Sequence, residues 1–120
     1  MTNVPNFIEI EDDRQDRDTY EMTNLYPRHT GLPMTVWVSP RGHARHAARI
    51  KVHMAHGDRM VASNTAVVAL APQPRLVAGD LSSNDQRLVF AWAKLNQPAL
   101  LDFWDDGDVV QLLSRLKVAE

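Results

Sequence analysis

The stretch LVAGDLSSNDQRLVFAWAKL, residues 76–95, decides the fold class, because the spacing of its apolar residues changes along it. It starts with a short apolar run, LVA, which a Gly-Asp pair ends, as is typical of a strand and its turn. Two serines and an asparagine then supply good helix N-cap residues. Beyond them, Leu88, Trp92 and Leu95 recur at the spacing of one helical face. The sequence therefore predicts a change from strands to helices at Leu81.

The chain before Leu81 has the pattern of a β-meander. Residues 34–38, 49–54 and 66–70 are short runs rich in β-branched and apolar side chains, and residues typical of turns separate them. The connections are too short to contain crossover helices. Neighbouring strands should therefore be antiparallel.

The chain after Leu81 has helical periodicity over residues 85–95, 99–104 and 109–117. Trp92 and Trp104 belong to these apolar faces, and we expect them to be core anchors. Strands followed by helices indicate an α+β fold. The prediction is an antiparallel β-meander of about four or five strands, followed by two or three C-terminal helices packed on one face.

The composition is that of one ordinary domain. The chain has 120 residues, of which 44% are hydrophobic and 23% charged. Residues 1–18 contain few core-forming side chains and predict a mobile acidic arm, whereas residues 19–120 predict a single α+β domain. The absence of cysteine excludes disulfides and thiolate chemistry. With no secretory signal pattern and no membrane-length apolar stretch, we expect a cytoplasmic protein without membrane contact.

The net charge of −2 conceals an asymmetry. Residues 7–21 hold seven acidic and two basic side chains, which gives −5. Residues 41–60 hold five basic side chains and one acidic side chain, which gives +4, together with four of the five histidines. Such asymmetry indicates a surface that meets a charged partner. The alternative is that the two segments neutralise each other.

A basic row follows from strand alternation around Ile50. Even-numbered positions are mostly apolar and should cover the core. Odd-numbered positions from 43 to 53 are basic or titratable except Ala47, and successive ones lie about 6.6–6.8 Å apart. That spacing suits the backbone of a nucleic acid, and the row could equally take an acidic protein patch. An ordinary solvated strand face is the alternative. The predicted binding residues are Arg41, His43, Arg45, Arg49, Lys51 and His53.

Metal binding and catalysis have less support. Residues 43–46 and 53–56 each form a His-x-x-His pair, but side chains three apart on a strand point to opposite faces. We therefore expect no metal and no cofactor. Neither a nucleophile elbow nor a glycine-rich phosphate loop occurs. The protein is not expected to be an enzyme, although His43 or His53 could serve a metal-independent nuclease.

Four sequence segments carry a family resemblance: GLPMTVWV, GHARHA, AGDLSS and LVFAWAKLNQPALLDFW. Residues 31–120 resemble the small bacterial family called domain of unknown function 4160. The resemblance lies in the order of these four segments and in a helix with a tryptophan that is followed by a Leu-Leu-x-x-Trp helix. The family's Pro-Pro-His-x-His-Ala loop is represented without a gap only by His46 and Ala47. The resemblance implies an α+β fold, a bacterial origin and a setting among mobile elements and toxin–antitoxin pairs.

Three functions remain open from the sequence. The first is a small accessory or regulatory protein that binds a polyanion or acidic partner through the basic row. The second is a nuclease-type toxin that uses His43 or His53. The third is an inhibitor whose acidic arm mimics a nucleic acid. A binder requires the Arg and Lys side chains, a nuclease requires the histidines, and a mimic requires the arm.

Overall fold

The computed structural model of the protein describes residues 22–41 and 47–119. The strands within these ranges are β1 Thr23–Leu25, β2 Val36–Val38, β3 Arg49–His53, β4 Thr65–Ala69 and β5 Arg75–Ala78. The α-helices are α1 Pro27–Thr30, α2 Ser83–Leu95, α3 Gln97–Asp106 and α4 Val109–Arg115, and a short 3₁₀ helix, Ala62–Asn64, precedes β4. The three longer helices follow the last strand, so the predicted α+β order is confirmed.

The strands form one sheet in the order β1-β2-β3-β4-β5, and every neighbouring pair is antiparallel. The predicted meander is therefore confirmed. Ile50 of β3 lies opposite Val68 of β4, and Val52 lies opposite Ala66. A register shift after Val67 marks a bulge between β4 and β5. This register brings the apolar positions of adjacent strands to the same face.

One hydrophobic core joins that sheet face to the helices. Ile50 and Val52 are buried in it, as the alternation around Ile50 predicts. Trp92 of α2 is 1% exposed and Trp104 of α3 is 8% exposed, so both tryptophans are core anchors, as expected. Val89 of α2 is also fully buried. Among residues 22–41 and 47–119, the three longer helices pack on this one face.

Helix α2 begins as the N-cap pattern predicts. The Asp85 backbone N–H donates a hydrogen bond to Ser82 Oγ (3.0 Å), which makes Ser82 the N-cap. Such a bond satisfies one of the backbone donors that the first helical turn leaves without a partner. The following helix α3 begins at Gln97 and has Pro98 in its first turn, where a backbone N–H would have no intrahelical acceptor.

The segment around β1 contains two elements that the sequence pattern does not show. A three-residue strand is too short to display alternation, and Pro27 and Gly31 predict a turn rather than a helix. The structure has a single helical turn, α1, which starts at Pro27 and ends at Gly31 with a positive φ of 78°. The acidic arm predicted for residues 1–18 lies outside the described residues.

Asn96 connects the helices to the C-terminal segment, although the sequence indicates only a helix break there. Its Nδ2 donates to the carbonyl oxygens of Trp92 and Lys117 (both 3.0 Å), and its Oδ1 accepts from the Lys117 backbone N–H (2.7 Å). Further along, the Ala119 N–H donates to the Thr30 carbonyl (2.7 Å). These bonds hold residues 117–119 between α1 and α2.

Gly79 offers a test of the turn between the sheet and α2. Its φ is 79°, and a Cβ there would lie 2.6 Å from Ala66 Cα and 2.9 Å from the Thr65 carbonyl oxygen. We expect Gly79→Ala to lower the free energy of unfolding by about 3 kcal/mol, of which about 1–2 kcal/mol is the cost of left-handed backbone and the rest is steric overlap. Urea denaturation measures this change.

Gly57 provides the matched control for Gly79. Its φ is also positive, at 110°, but a Cβ there would meet no atom within 4 Å. Gly57→Ala should therefore cost only the backbone contribution, about 1–2 kcal/mol. Equal losses in the two variants would contradict the close approach of Gly79 to β4.

Candidate nucleic-acid interface

The sheet face turned away from the helices carries the basic side chains of the strands. Because side chains alternate along β3, Arg49 and Lys51 point away from the core. Trp37 of β2 lies directly opposite Lys51. Arg75 of β5 lies opposite Ala69, which in turn lies opposite Arg49. We call Trp37, Arg49, Lys51 and Arg75 the basic outer face.

The spacing within the basic outer face follows from strand geometry. Arg49 and Lys51 are two residues apart on one strand, which separates their Cα atoms by about 6.6–6.8 Å. Arg75 lies two strands away from Arg49, about 9–10 Å across the sheet. The Lys51 Nζ lies 5.6 Å from the centre of the Trp37 ring, within the range of a cation–π interaction. An aromatic ring and three cations therefore share one surface.

The charge of this surface is not neutralised by the strands that form it. No residue of β1 to β5 is acidic. In the part of the chain that the structure describes, none of Arg49, Lys51 and Arg75 forms an ion pair. Arg49 Nε is buried and has no hydrogen-bond acceptor, and Arg75 Nη1 makes one long bond to the Ala71 carbonyl (3.5 Å). The positive charges of this face are thus not offset by carboxylates of the described residues.

The predicted site residues divide into three groups in the structure. Arg49 and Lys51 lie on the outer face at the positions that alternation predicts. His43 and Arg45 lie outside the described residues. Arg41 and His53 belong to the third group. Arg41 lies at the end of α3, and His53 is buried.

Arg41 is held at the end of α3 instead of joining the basic outer face. Its backbone N–H donates to the Trp104 carbonyl (2.7 Å), and its Nη1 lies 3.7 Å from Asp105 Oδ1. Both side chains are largely exposed, so this ion pair adds little stability. It does offset the charge of Arg41. Arg41 thus lies apart from the basic outer face, and its predicted part in binding stays a prediction.

His53 is buried, with 3% of its surface exposed, so its prediction as part of a solvated row is wrong. The physical reason is the loop after β3, which folds back on the chain before β2. Gly57 donates its N–H to the Pro33 carbonyl (2.8 Å), and Thr35 Oγ1 donates to the Gly57 carbonyl (3.0 Å). His53 Nδ1 lies 3.0 Å from the Ala55 carbonyl, so we assign the proton to Nδ1, and Nε2 has no hydrogen-bond partner.

His56 has a different partner from His53. Its Nε2 lies 3.0 and 3.1 Å from the two carboxylate oxygens of Asp85, in the first turn of α2. The Asp85 side chain is 9% exposed, whereas that of His56 is 58% exposed. This contact joins the loop after β3 to the start of α2. The two histidines do not converge, and no group of three metal-ligating side chains occurs within residues 22–41 and 47–119.

The aspartates near the end of α3 have local structural roles; they are Asp102, Asp105, Asp106 and Asp108. Asp108 is the N-cap of α4, where its Oδ1 accepts from the Gln111 N–H (3.1 Å). Asp102 Oδ2 accepts from Arg115 Nη1 (2.6 Å). Each carboxylate thus has a local structural partner.

Arg75 is the functional candidate that the sequence prediction missed. Its position relative to Arg49 depends on the pairing of β5 with β4, and the bulge after Val67 alters that register. Alternation within β5 alone does not specify which face Arg75 occupies. Alternation within β2 likewise does not specify which side chain of β3 lies beside Trp37. The β2–β3 register adds that its ring lies beside Lys51.

Comparison of the chain with family models, curated proteins and solved structures finds no match. The resemblance to domain of unknown function 4160 therefore stays a prediction. No described helix combines the length and apolar character that a membrane span requires.

Proposed function

We propose that the chain is a small cytoplasmic binding protein with an accessory or regulatory role, and that its basic outer face binds single-stranded nucleic acid. The observation that carries the proposal is the joint presence of Arg49, Lys51, Arg75 and Trp37 on a strand surface without carboxylates. The cations would contact phosphates, and the Trp37 ring would stack on a base. A bacterial mobile-element or toxin–antitoxin setting is the accompanying expectation from the family resemblance.

A single strand suits this surface better than a duplex. The face is part of a sheet and no described helix lies on it, so it lacks the helical element that commonly enters a major groove. Single-strand binding surfaces combine a positively charged track with aromatic side chains on which bases stack. Lys51 and Trp37 provide that combination within one contact.

The two alternatives have less support in the described residues. A nuclease would need a histidine that reaches a phosphate, and His53 is buried and turned to the Ala55 carbonyl. His43 and the acidic arm lie outside the described residues. We therefore develop the binding proposal, and an acidic protein partner becomes one outcome of its test.

The test is a titration of a fluorescein-labelled single-stranded oligothymidine, followed by fluorescence anisotropy at low salt, with heparin as a polyanion that has no bases. We expect both ligands to bind. Trp37→Ala should weaken oligothymidine binding by about fivefold to a hundredfold, since stacking on an aromatic side chain contributes about 1–3 kcal/mol per base. Heparin binding should change by less than about twofold.

Trp37→Phe is the conservative control, because phenylalanine keeps a ring on which a base can stack. We expect it to retain most of the affinity for oligothymidine. Equal weakening of heparin and oligothymidine by Trp37→Ala would indicate that the ring has no role in base stacking. Absence of binding to both ligands at low salt would overturn the proposal, and an acidic protein retained by the wild type alone would then identify the face as a protein interface.

A further inference from the structure

A groove of about 380 Å³ lies on the helical side of the molecule, away from the basic outer face. Its volume falls in the usual range for small-molecule sites, about 300–1,000 Å³. One wall is formed by helix α2 and the other by the C-terminal segment. The lining residues are Arg87, Leu88, Ala91, Trp92, Lys94, Leu95 and Ala119.

The groove combines an apolar floor with a cationic rim. Leu88, Trp92 and Leu95 contribute apolar surface along the helix. Arg87 and Lys94 are exposed and lie seven residues apart, about 10 Å along the helix axis. Arg87 Nη2 contacts Asn84 Oδ1, whereas Lys94 has no side-chain hydrogen bond or ion pair among the described residues. None of the lining residues within the described part of the chain is acidic.

Trp92, which lines the groove, has a side-chain hydrogen-bond donor without an acceptor. Trp92 is 1% exposed, and its Nε1 is buried with no partner. A buried donor without an acceptor costs free energy, and most such groups in folded proteins are paired.

The two walls of the groove are fixed by hydrogen bonds. Asn96, immediately after α2, bonds to the Trp92 carbonyl and to both backbone polar groups of Lys117. Ala119, which lines the groove, donates its N–H to Thr30. A groove fixed in this way needs little rearrangement to accept a ligand.

We propose that this groove binds a small amphipathic carboxylate with an alkyl tail. The tail lies along Leu88 and Leu95, where apolar burial favours it. The carboxylate is paired with Lys94 or Arg87. A free inorganic anion would leave the apolar floor uncovered, and a neutral alkyl chain would leave the cationic rim without a partner. The proposal is independent of nucleic-acid binding, because no residue of the groove belongs to the basic outer face.

The test uses decanoate and decanol, which share a tail and differ in charge, below the concentrations at which they aggregate. Binding is followed in ¹H–¹⁵N spectra of the full-length ¹⁵N-labelled protein, with the indole N–H signals of the three tryptophans assigned individually. We expect decanoate to shift the Trp92 indole signal most, with Trp37 and Trp104 as internal references. Decanol should bind more weakly.

The charge contribution is isolated by the double variant Arg87→Gln/Lys94→Gln. It should weaken decanoate binding by about two- to fivefold, since one exposed ion pair contributes a factor of that size. Its decanol affinity should stay within about twofold of wild type. The control Arg28→Gln/Arg59→Gln removes two exposed cations elsewhere and should leave decanoate binding unchanged.

Two results would overturn the proposal. The first is no shift of the Trp92 signal with decanoate. The second is equal decanoate affinity in the Arg87→Gln/Lys94→Gln variant and the wild type. An unchanged spectrum of the double variant without ligand shows that the fold is intact, so that a loss of binding reports on the rim cations.

Discussion

Replacement of Trp92 by alanine should lower the free energy of unfolding by about 3–5 kcal/mol, the usual cost of emptying a core aromatic site. Trp92 is 1% exposed and belongs to the core cluster between α2 and the sheet. The lost side chain also lies one turn before Asn96, which bonds to the Trp92 carbonyl. Guanidinium denaturation of the two proteins at one pH measures the difference.

Two further substitutions show which property of Trp92 contributes to the free energy of unfolding. Trp92→Phe removes the buried indole N–H, which has no acceptor, while keeping most of the apolar volume. Its cost should be clearly smaller than that of Trp92→Ala, because loss of an unsatisfied donor offsets part of the lost contact. Trp37→Ala is the positional control, since Trp37 is half-buried on the outer face and should cost about 1 kcal/mol. Equal stability of Trp92→Ala and wild type would contradict the placement of Trp92 in the core.

The fold could be predicted because local pattern and tertiary packing agree over most of the chain. The change of period at Leu81 marks the boundary between sheet and helices, and Ser82 caps α2 as its type suggests. The parts of the fold that the sequence did not predict are those without a local sequence pattern. A three-residue β1 shows no alternation, and the bonds of Asn96 to Lys117 join positions 21 residues apart. Contacts of this range depend on the folded geometry and not on neighbouring residues.

The sequence predicts which residues of one strand share a face of the sheet. It predicts less well which residues of different strands lie side by side. Alternation around Ile50 places Arg49 and Lys51 correctly, because the period of a strand is a local property. Arg75 requires the register across the bulge, which local sequence does not encode. The burial of His53 and the pairing of Arg41 with Asp105 have no local sequence signal, because the folded-back loop with Ala55 and the end of α3 are brought there by tertiary structure.

Removal of the three cations of the basic outer face should weaken oligothymidine binding more than any other substitution proposed for this face. We expect Arg49→Gln/Lys51→Gln/Arg75→Gln to weaken oligothymidine binding by about a hundredfold at low salt, taking about 1 kcal/mol for each lost phosphate contact. The slope of log affinity against log salt concentration should shrink by about 2, since each single-strand phosphate contact contributes about 0.7. Fluorescence anisotropy over a salt series measures both quantities.

The matched control for this variant removes the same charge from the helical side. Arg87→Gln/Lys94→Gln/Arg115→Gln has the same net charge as the outer-face variant, but all three positions belong to α2 and α4. Its affinity should fall far less, because charges that do not contact the strand act only through a screened field. The melting temperatures of both variants should stay close to that of wild type, since substitutions on a partly solvated face have small effects on stability. If the two triple variants lost the same affinity and the same salt slope, binding would depend on net charge alone, and the outer face would not be the contact surface.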